Sequence, residues 1–181
     1  MSAPTKGLTA GTWVIDPTHS TLQFTVRHLM VSKVRGRFTD FSGNLVVHPD
    51  GSADAVAEIK VESITTDNEQ RDGHLRTADF FDADAHPNAT FKATGFKALS
   101  NEFSVTGDFT IRGVTKPVTL DVEFLGTGPG MAGGTVAGFT ASATINRRDF
   151  GITVEMPLAD GGAVISDKIT LSLDVELSLQ G

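Results

Sequence analysis

Ile169-Thr-Leu-Ser-Leu-Asp-Val-Glu-Leu-Ser-Leu179 decides how this chain folds. Every odd-numbered residue is a large aliphatic, and every even-numbered one is Thr, Ser, Asp or Glu. Side chains alternate faces along a β-strand, so the run has one apolar and one polar face; a helix would scatter the same residues around its axis. Strands are usually ~5–6 residues long, and this one is about twice that. It calls for a long curved sheet with an apolar inside. The functional question is whether that inside is packed solid or holds something.

The alternation recurs upstream. After a flexible N-terminal tail (1–10) and a short strand at Gly11–Ile15, Leu22, Phe24, Val26 and His28 share one face of a second strand. Val34 to His48 reads as a further strand, but Phe38 and Phe41 differ in parity, so a bend or bulge is expected near Thr39–Gly43. Asp54–Ile64, Asn88–Leu99, Glu102–Arg112, Pro117–Leu125, Thr135–Arg147 and Val164–Leu179 complete the set, with a hairpin tip at Ser100-Asn101 and a glycine-rich loop over 126–134. The substantial non-strand stretch is Thr66–Pro87. Asp67, with Gln70 three residues on, predicts a capped helix over about 68–76, interrupted by Gly73, and a second turn over Ala78–Phe81. About eight long antiparallel strands joined by short turns, with one short helical insertion, define an all-β up-and-down β-barrel spanning 11–181 as a single domain. A β-sandwich, with its shorter strands, is the alternative.

Composition narrows the function. The chain has 181 residues and a net charge of -7, which argues against a nucleic-acid partner because phosphate binding needs a basic surface. There is no cysteine, so thiolate and disulfide chemistry are excluded. The first residues lack an apolar segment, which reads as neither signal peptide nor membrane span and leads to the expectation of a cytoplasmic protein. Twelve Phe and no Tyr give an interior with few hydrogen-bonding groups.

An eight-stranded barrel encloses either packed side chains or one small ligand. The expected inward set is Leu22, Phe24, Val26, Phe38, Phe91, Phe103, Val105, Phe109, Val122, Phe124, Phe139, Leu171 and Leu173. Ala93, Gly107, Gly138, Ala141 and Ala143 look too small to fill their share, which would leave an apolar tube. Polar candidates for its mouth are His28, Arg71, His74 and Arg148. Arg71-Asp-Gly-His-Leu-Arg76 reads first as a fastening for the helical flap, then as a recognition site for an anionic head group, for which Arg supplies a planar fork of donors.

Other chemistry finds little support. No two of His19, His28, His48, His74 and His86 stand at i, i+4, so no metal site is expected. No serine lies in a nucleophile-elbow motif, and the glycine-rich loop does not run from a strand into a helix, so neither hydrolase nor phosphate-loop chemistry is indicated. No cofactor is expected.

Several blocks together resemble the YceI-like family: Trp13-Val-Ile-Asp-Pro-Thr-His-Ser20, Phe24-x-Val-x-His28, Val34-Arg-Gly-Arg-Phe-x-x-Phe-x-Gly43, Ser63-Ile-x-Thr-x-x-x-x-Arg71-Asp-x-His-Leu75, Asp79-Phe-Phe-Asp82 with His86-Pro87, Thr110-Ile-Arg-Gly-Val-Thr-Lys-Pro-Val118, and Arg148-Asp-Phe-Gly-Ile152. The resemblance implies a lipocalin-like barrel holding a polyisoprenoid or similar long-chain amphiphilic lipid. Members are often periplasmic; this sequence departs from them in showing no signal peptide. The expectation is therefore a non-enzymatic lipid carrier that spans no membrane, with dimerisation left open. One rival is an enzyme using Arg71, Asp72 and His74 on a hydrophobic substrate. The other is a stress-response module whose barrel is filled.

Overall fold

The computed structural model describes residues 7–29, 31–98, 102–155 and 165–181. The expected hairpin tip at Ser100-Asn101 and the expected strand start at Val164 lie outside the described residues. Among the described residues, eleven strands form one sheet: β1 (Gly11–Ile15), β2 (Thr21–His28), β3 (Ser32–Phe38), β4 (Phe41–Val47), β5 (Ala53–Lys60), β6 (Ile64–Thr65), β7 (Asn88–Ala98), β8 (Glu102–Ile111), β9 (Val114–Pro129), β10 (Thr135–Asn146) and β11 (Ile165–Leu179). All pairings are antiparallel, and β1 closes the sheet against β11. Three pairs of short strands act as single broken staves, β1 with β2, β3 with β4, and β5 with β6. The architecture is an eight-stave up-and-down barrel.

Side chains bridge two of the breaks. Between β1 and β2, Asp16-Pro17 interrupts the ladder to β11. The Asp16 N–H still reaches the Glu176 carbonyl at 2.9 Å, and the Ser20 hydroxyl accepts from the Glu176 N–H at 3.0 Å. Between β3 and β4, the Ser63 hydroxyl accepts from the N–H groups of Thr39 (3.2 Å) and Asp40 (3.0 Å). This is the bend expected from the parity slip. It lets Phe38 and Phe41 both face inward.

The glycine-rich segment departs from expectation. β9 continues to Pro129, with Gly126 opposite Gly138 and Gly128 opposite Val136. A register shift between Gly138 and Phe139 keeps the ladder paired on either side of it.

A single helix, α1 (Glu69–Leu75), lies between β6 and β7. Its N-cap is Asn68, not Asp67. Asn68 has extended backbone and accepts from the Arg71 N–H, whereas Asp67 has a φ of 60°, outside cap geometry. Gly73 does not interrupt the helix, and Ala78–Phe81 forms turns instead of a second helical segment.

The interior divides into two clusters of apolar side chains. One contains Trp13, Val47, Val105, Val122, Ala137, Phe139 and Leu177, joined by Phe103 and Phe124. Leu8 packs against it, and the Trp13 indole donates to the Thr9 carbonyl at 3.0 Å. The other contains Phe41, Ile59, Val61, Phe80, Phe109, Phe150 and Ile152 and lies toward α1.

Candidate functional site: a half-open barrel

The second cluster is hollow. A cavity of about 530 Å³ runs beneath α1, walled by Phe24 and Val26 of β2, Val34 and Phe38 of β3, Ile59, Phe109 and Ile111, Ile145, and Ile169 and Leu171 of β11. Phe80 and Phe81, after α1, and Phe150 and Ile152 complete the apolar wall. Asn68, Gln70, Arg71 and His74 also line it and are exposed, so the cavity reaches the surface at α1. Among the described residues that line it there is no carboxylate, whereas Arg71 and Arg147 are present.

Of the residues singled out in the sequence, Phe24, Val26, His28, Phe38, Arg71, His74, Phe109 and Leu171 line the cavity. Leu22, Phe91, Phe103, Phe124, Phe139, Leu173 and Arg148 do not. Phe103, Phe124 and Phe139 fill the other half of the barrel, with centroids 6.2 Å apart for Phe103–Phe139 and 5.2 Å for Phe124–Phe139. Strand parity places a residue on the inner face but says nothing about height along the barrel, which separates these two groups. Leu22 packs against the cluster nearer α1 without reaching the void.

The small residues do not create the space. A Cβ at Gly107 would overlap the Phe91 ring, which already occupies that volume. Gly138 lies opposite the buried parity of Ala137 and Phe139, where a Cβ would meet the exposed Leu125. The void lies at the other end, between the barrel wall and α1.

Arg148 points away. It pairs with Glu155 at 2.7 Å and Asp167 at 2.9 Å, and both hydrogen bonds hold its guanidinium above the usual arginine value. Its neighbour Arg147 enters the cavity wall instead, 5% exposed. Arg147 donates to the carbonyls of Ile152 (2.8 Å), Val154 (2.9 Å) and Ser166 (3.3 Å) and pairs with Asp167 at 3.0 Å. Burial pushes it below the usual arginine value, and Asp167 opposes that shift. The turn over Arg147–Phe150, capped by Asn146, ends the strand's alternation, so β10 parity does not carry through to it.

The Arg71–Asp72–His74 group is split among separate partners. Asp72 is buried and accepts from the Thr66 N–H at 2.8 Å and from the Thr66 hydroxyl. Arg71 donates to the Thr66 hydroxyl at 2.7 Å and the Thr66 carbonyl at 2.9 Å. His74 pairs with Asp79 at 2.9 Å and meets the Phe80 ring edge-on at 5.0 Å. These contacts fasten α1 and the turn after it over the barrel end. Among the described residues, Gln70 and His28 have no side-chain hydrogen-bond partner, and both line the cavity.

The sequence reading also missed a grouping on the outer side of the β1–β2 break. Ligand-type atoms of Asp16, His19 and Glu176 lie within 4.8 Å of one another. His19 Nδ1 is 2.7 Å from Asp16 Oδ2. That bond raises His19 above the usual histidine value, helped by the charges of Asp16 and Glu176, and lowers Asp16 below the usual carboxylate value. Local spacing within Asp16-Pro-Thr-His19 could have signalled the pair; Glu176 arrives only through the sheet.

A closed antiparallel barrel with an apolar pocket under a helical flap is a binding architecture. The chain belongs to the YceI-like family, whose domain model matches residues 13–177. It is 39% identical over 160 residues to a UPF0312 protein of Pseudomonas paraeruginosa, covering 87% of this chain and 81% of that protein. Among solved structures, a YceI protein of Campylobacter jejuni is 32% identical with a TM-score of 0.72, covering 86% of this chain and 90% of that one. A polyisoprenoid binding domain from Saccharophagus degradans shares the fold, with a TM-score of 0.68 at 18% identity over 95% of this chain and 100% of that one. Among the described residues, no helix is long and apolar enough to cross a membrane.

Proposed function

We propose that this protein binds, and carries or stores, a long-chain amphiphilic lipid of the polyisoprenoid or isoprenoid-quinone class. The observation that carries the reading is the cavity itself: about 530 Å³ of almost wholly apolar space that meets solvent at a rim of Asn68, Gln70, Arg71 and His74. An apolar space with a polar mouth suits a molecule that is oily along its length and polar at one end. Each buried methylene contributes ~0.8 kcal/mol, so a chain of several isoprene units offsets the ~4–15 kcal/mol cost of association. Arg71, with no carboxylate among the described lining residues, favours a head group that accepts hydrogen bonds or carries negative charge. The polyisoprenoid binding of the Saccharophagus degradans domain supports the same ligand class. Binding rather than catalysis is supported by Asp72 and His74, which are engaged with Thr66 and Asp79 and not with each other.

The test is mass spectrometry of organic extracts from freshly purified protein, with intact native mass in parallel. A stoichiometric isoprenoid, returned unchanged after incubation, is the expected result. An apo mass that persists after incubation with isoprenoid quinones and polyprenyl phosphates would overturn the reading. Conversion of the lipid to a new product would replace it with an enzyme.

A further inference from the structure

The cavity stops partway along the barrel. Phe109 lines it, and the Phe109 ring meets Phe91 edge-on at 6.4 Å. Phe91 does not line the cavity; its ring covers Gly107, the residue opposite Ala93 in the β7–β8 ladder. Phe91 packs against both interior clusters, as do Ile15 and Leu120. Beyond it the barrel is filled by Phe103, Phe124 and Phe139 and by the fully buried Trp13. Among the described residues, a chain entering beneath α1 therefore meets Phe109, backed by Phe91 and by the cluster packed beyond it.

We propose that Phe109 and Phe91 form a floor that sets how much of a lipid chain the barrel accepts, which makes them specificity-determining residues for chain length. The inference rests on the lipid-binding reading above. An apolar cavity of ~150 Å³ holds the six carbons of benzene. By that yardstick the space here takes roughly twenty carbons, about four isoprene units. A longer polyprenyl chain must leave its remainder outside, at the α1 rim. Gly107 is part of the device, because only a residue without a Cβ leaves room for the Phe91 ring.

The test is a competition series against a fluorescent fatty-chain probe, using geraniol, farnesol, geranylgeraniol and longer polyprenols, each corrected for its partition into the dispersing micelle. Burial of one carbon strengthens binding about fourfold. Affinity is therefore expected to climb at least tenfold per added isoprene unit up to about geranylgeraniol and then level off. In Phe91→Ala the plateau moves to longer chains, and in the gentler Phe91→Leu it moves less. A second readout uses Trp13, the sole tryptophan. A long polyprenol brominated at its terminal double bond should leave Trp13 emission intact in the native protein and quench it in Phe91→Ala. Continued climbing past geranylgeraniol in the native protein, quenching of native Trp13, or an unmoved plateau in folded Phe91 variants would overturn the floor alone. Failure of every isoprenol to compete would overturn the lipid reading and the floor with it.

Discussion

The ring of Phe24 occupies the space that a side chain at Gly36, its partner across the β2–β3 ladder, would need. Phe24 also leans on Phe38 at 5.8 Å, and Phe38 meets Phe81 edge-on at 6.0 Å. A row of rings thus runs from the barrel wall to the segment that follows α1, and all three rings line the cavity. Gly36→Ala should swing the Phe24 ring off its neighbour and into the void. The expected outcome is a stability loss of about 1–3 kcal/mol from overpacking, together with weaker lipid retention. Urea denaturation and the lipid content of the folded fraction read the two effects separately. Unchanged retention would mean that Phe24 does not border the ligand.

Val26 is a half-buried wall residue on the same strand. Val26→Asp places a carboxylate in largely apolar space, a cost of several kcal/mol to a ligand that must desolvate it. Retention of an isoprenoid should fall at least tenfold while circular dichroism stays β-rich. A folded variant with normal lipid content would contradict the assigned cavity.

Asp72 holds α1 through Thr66. Asp72→Ala leaves the buried Thr66 N–H without its acceptor, which should cost about 1–3 kcal/mol. Amide hydrogen exchange should speed up across Glu69–Leu75 while the strands stay protected. If Asp72 instead served as an acid–base group, its loss would abolish conversion of a substrate without loosening the helix.

The Asp16–His19 pair gives a pH signature. His19 is raised above its ordinary value of 6.5, so its contribution to stability is fully present below pH 6.5 and is lost as pH rises through the raised value. Asp16 is lowered below 3.8, so its contribution is present above pH 3.8 and is lost as pH falls through the lowered value. Proton NMR of the His19 ring should show a midpoint above 6.5 that returns toward it in Asp16→Asn. A midpoint at or below 6.5 in the native protein would rule out the contact in solution.

Much of the fold was legible because β-structure writes a period of two into the sequence. The odd–even run of β11 marks a strand with one oily face. The parity clash between Phe38 and Phe41 marks the break between β3 and β4 before any coordinate is known. Pairing errors arose where local chemistry was ambiguous. Glycines at 126 and 128 look like a loop, yet they sit in a paired strand because their partners in β10 supply the ladder.

The site was legible only by face. The sequence by itself determined that Phe24, Phe109, Phe124 and Phe139 point into one interior, since alternation fixes the side of a sheet. Only the tertiary structure decided that Phe24 and Phe109 border open space while Phe124 and Phe139 are packed against each other. That difference depends on which residues from distant strands meet at the same level of the barrel. It also depends on whether a ring such as Phe91 fills the gap left by a glycine such as Gly107. Register between strands and the volumes shared across the barrel set both, and neither is a property of any single stretch of chain.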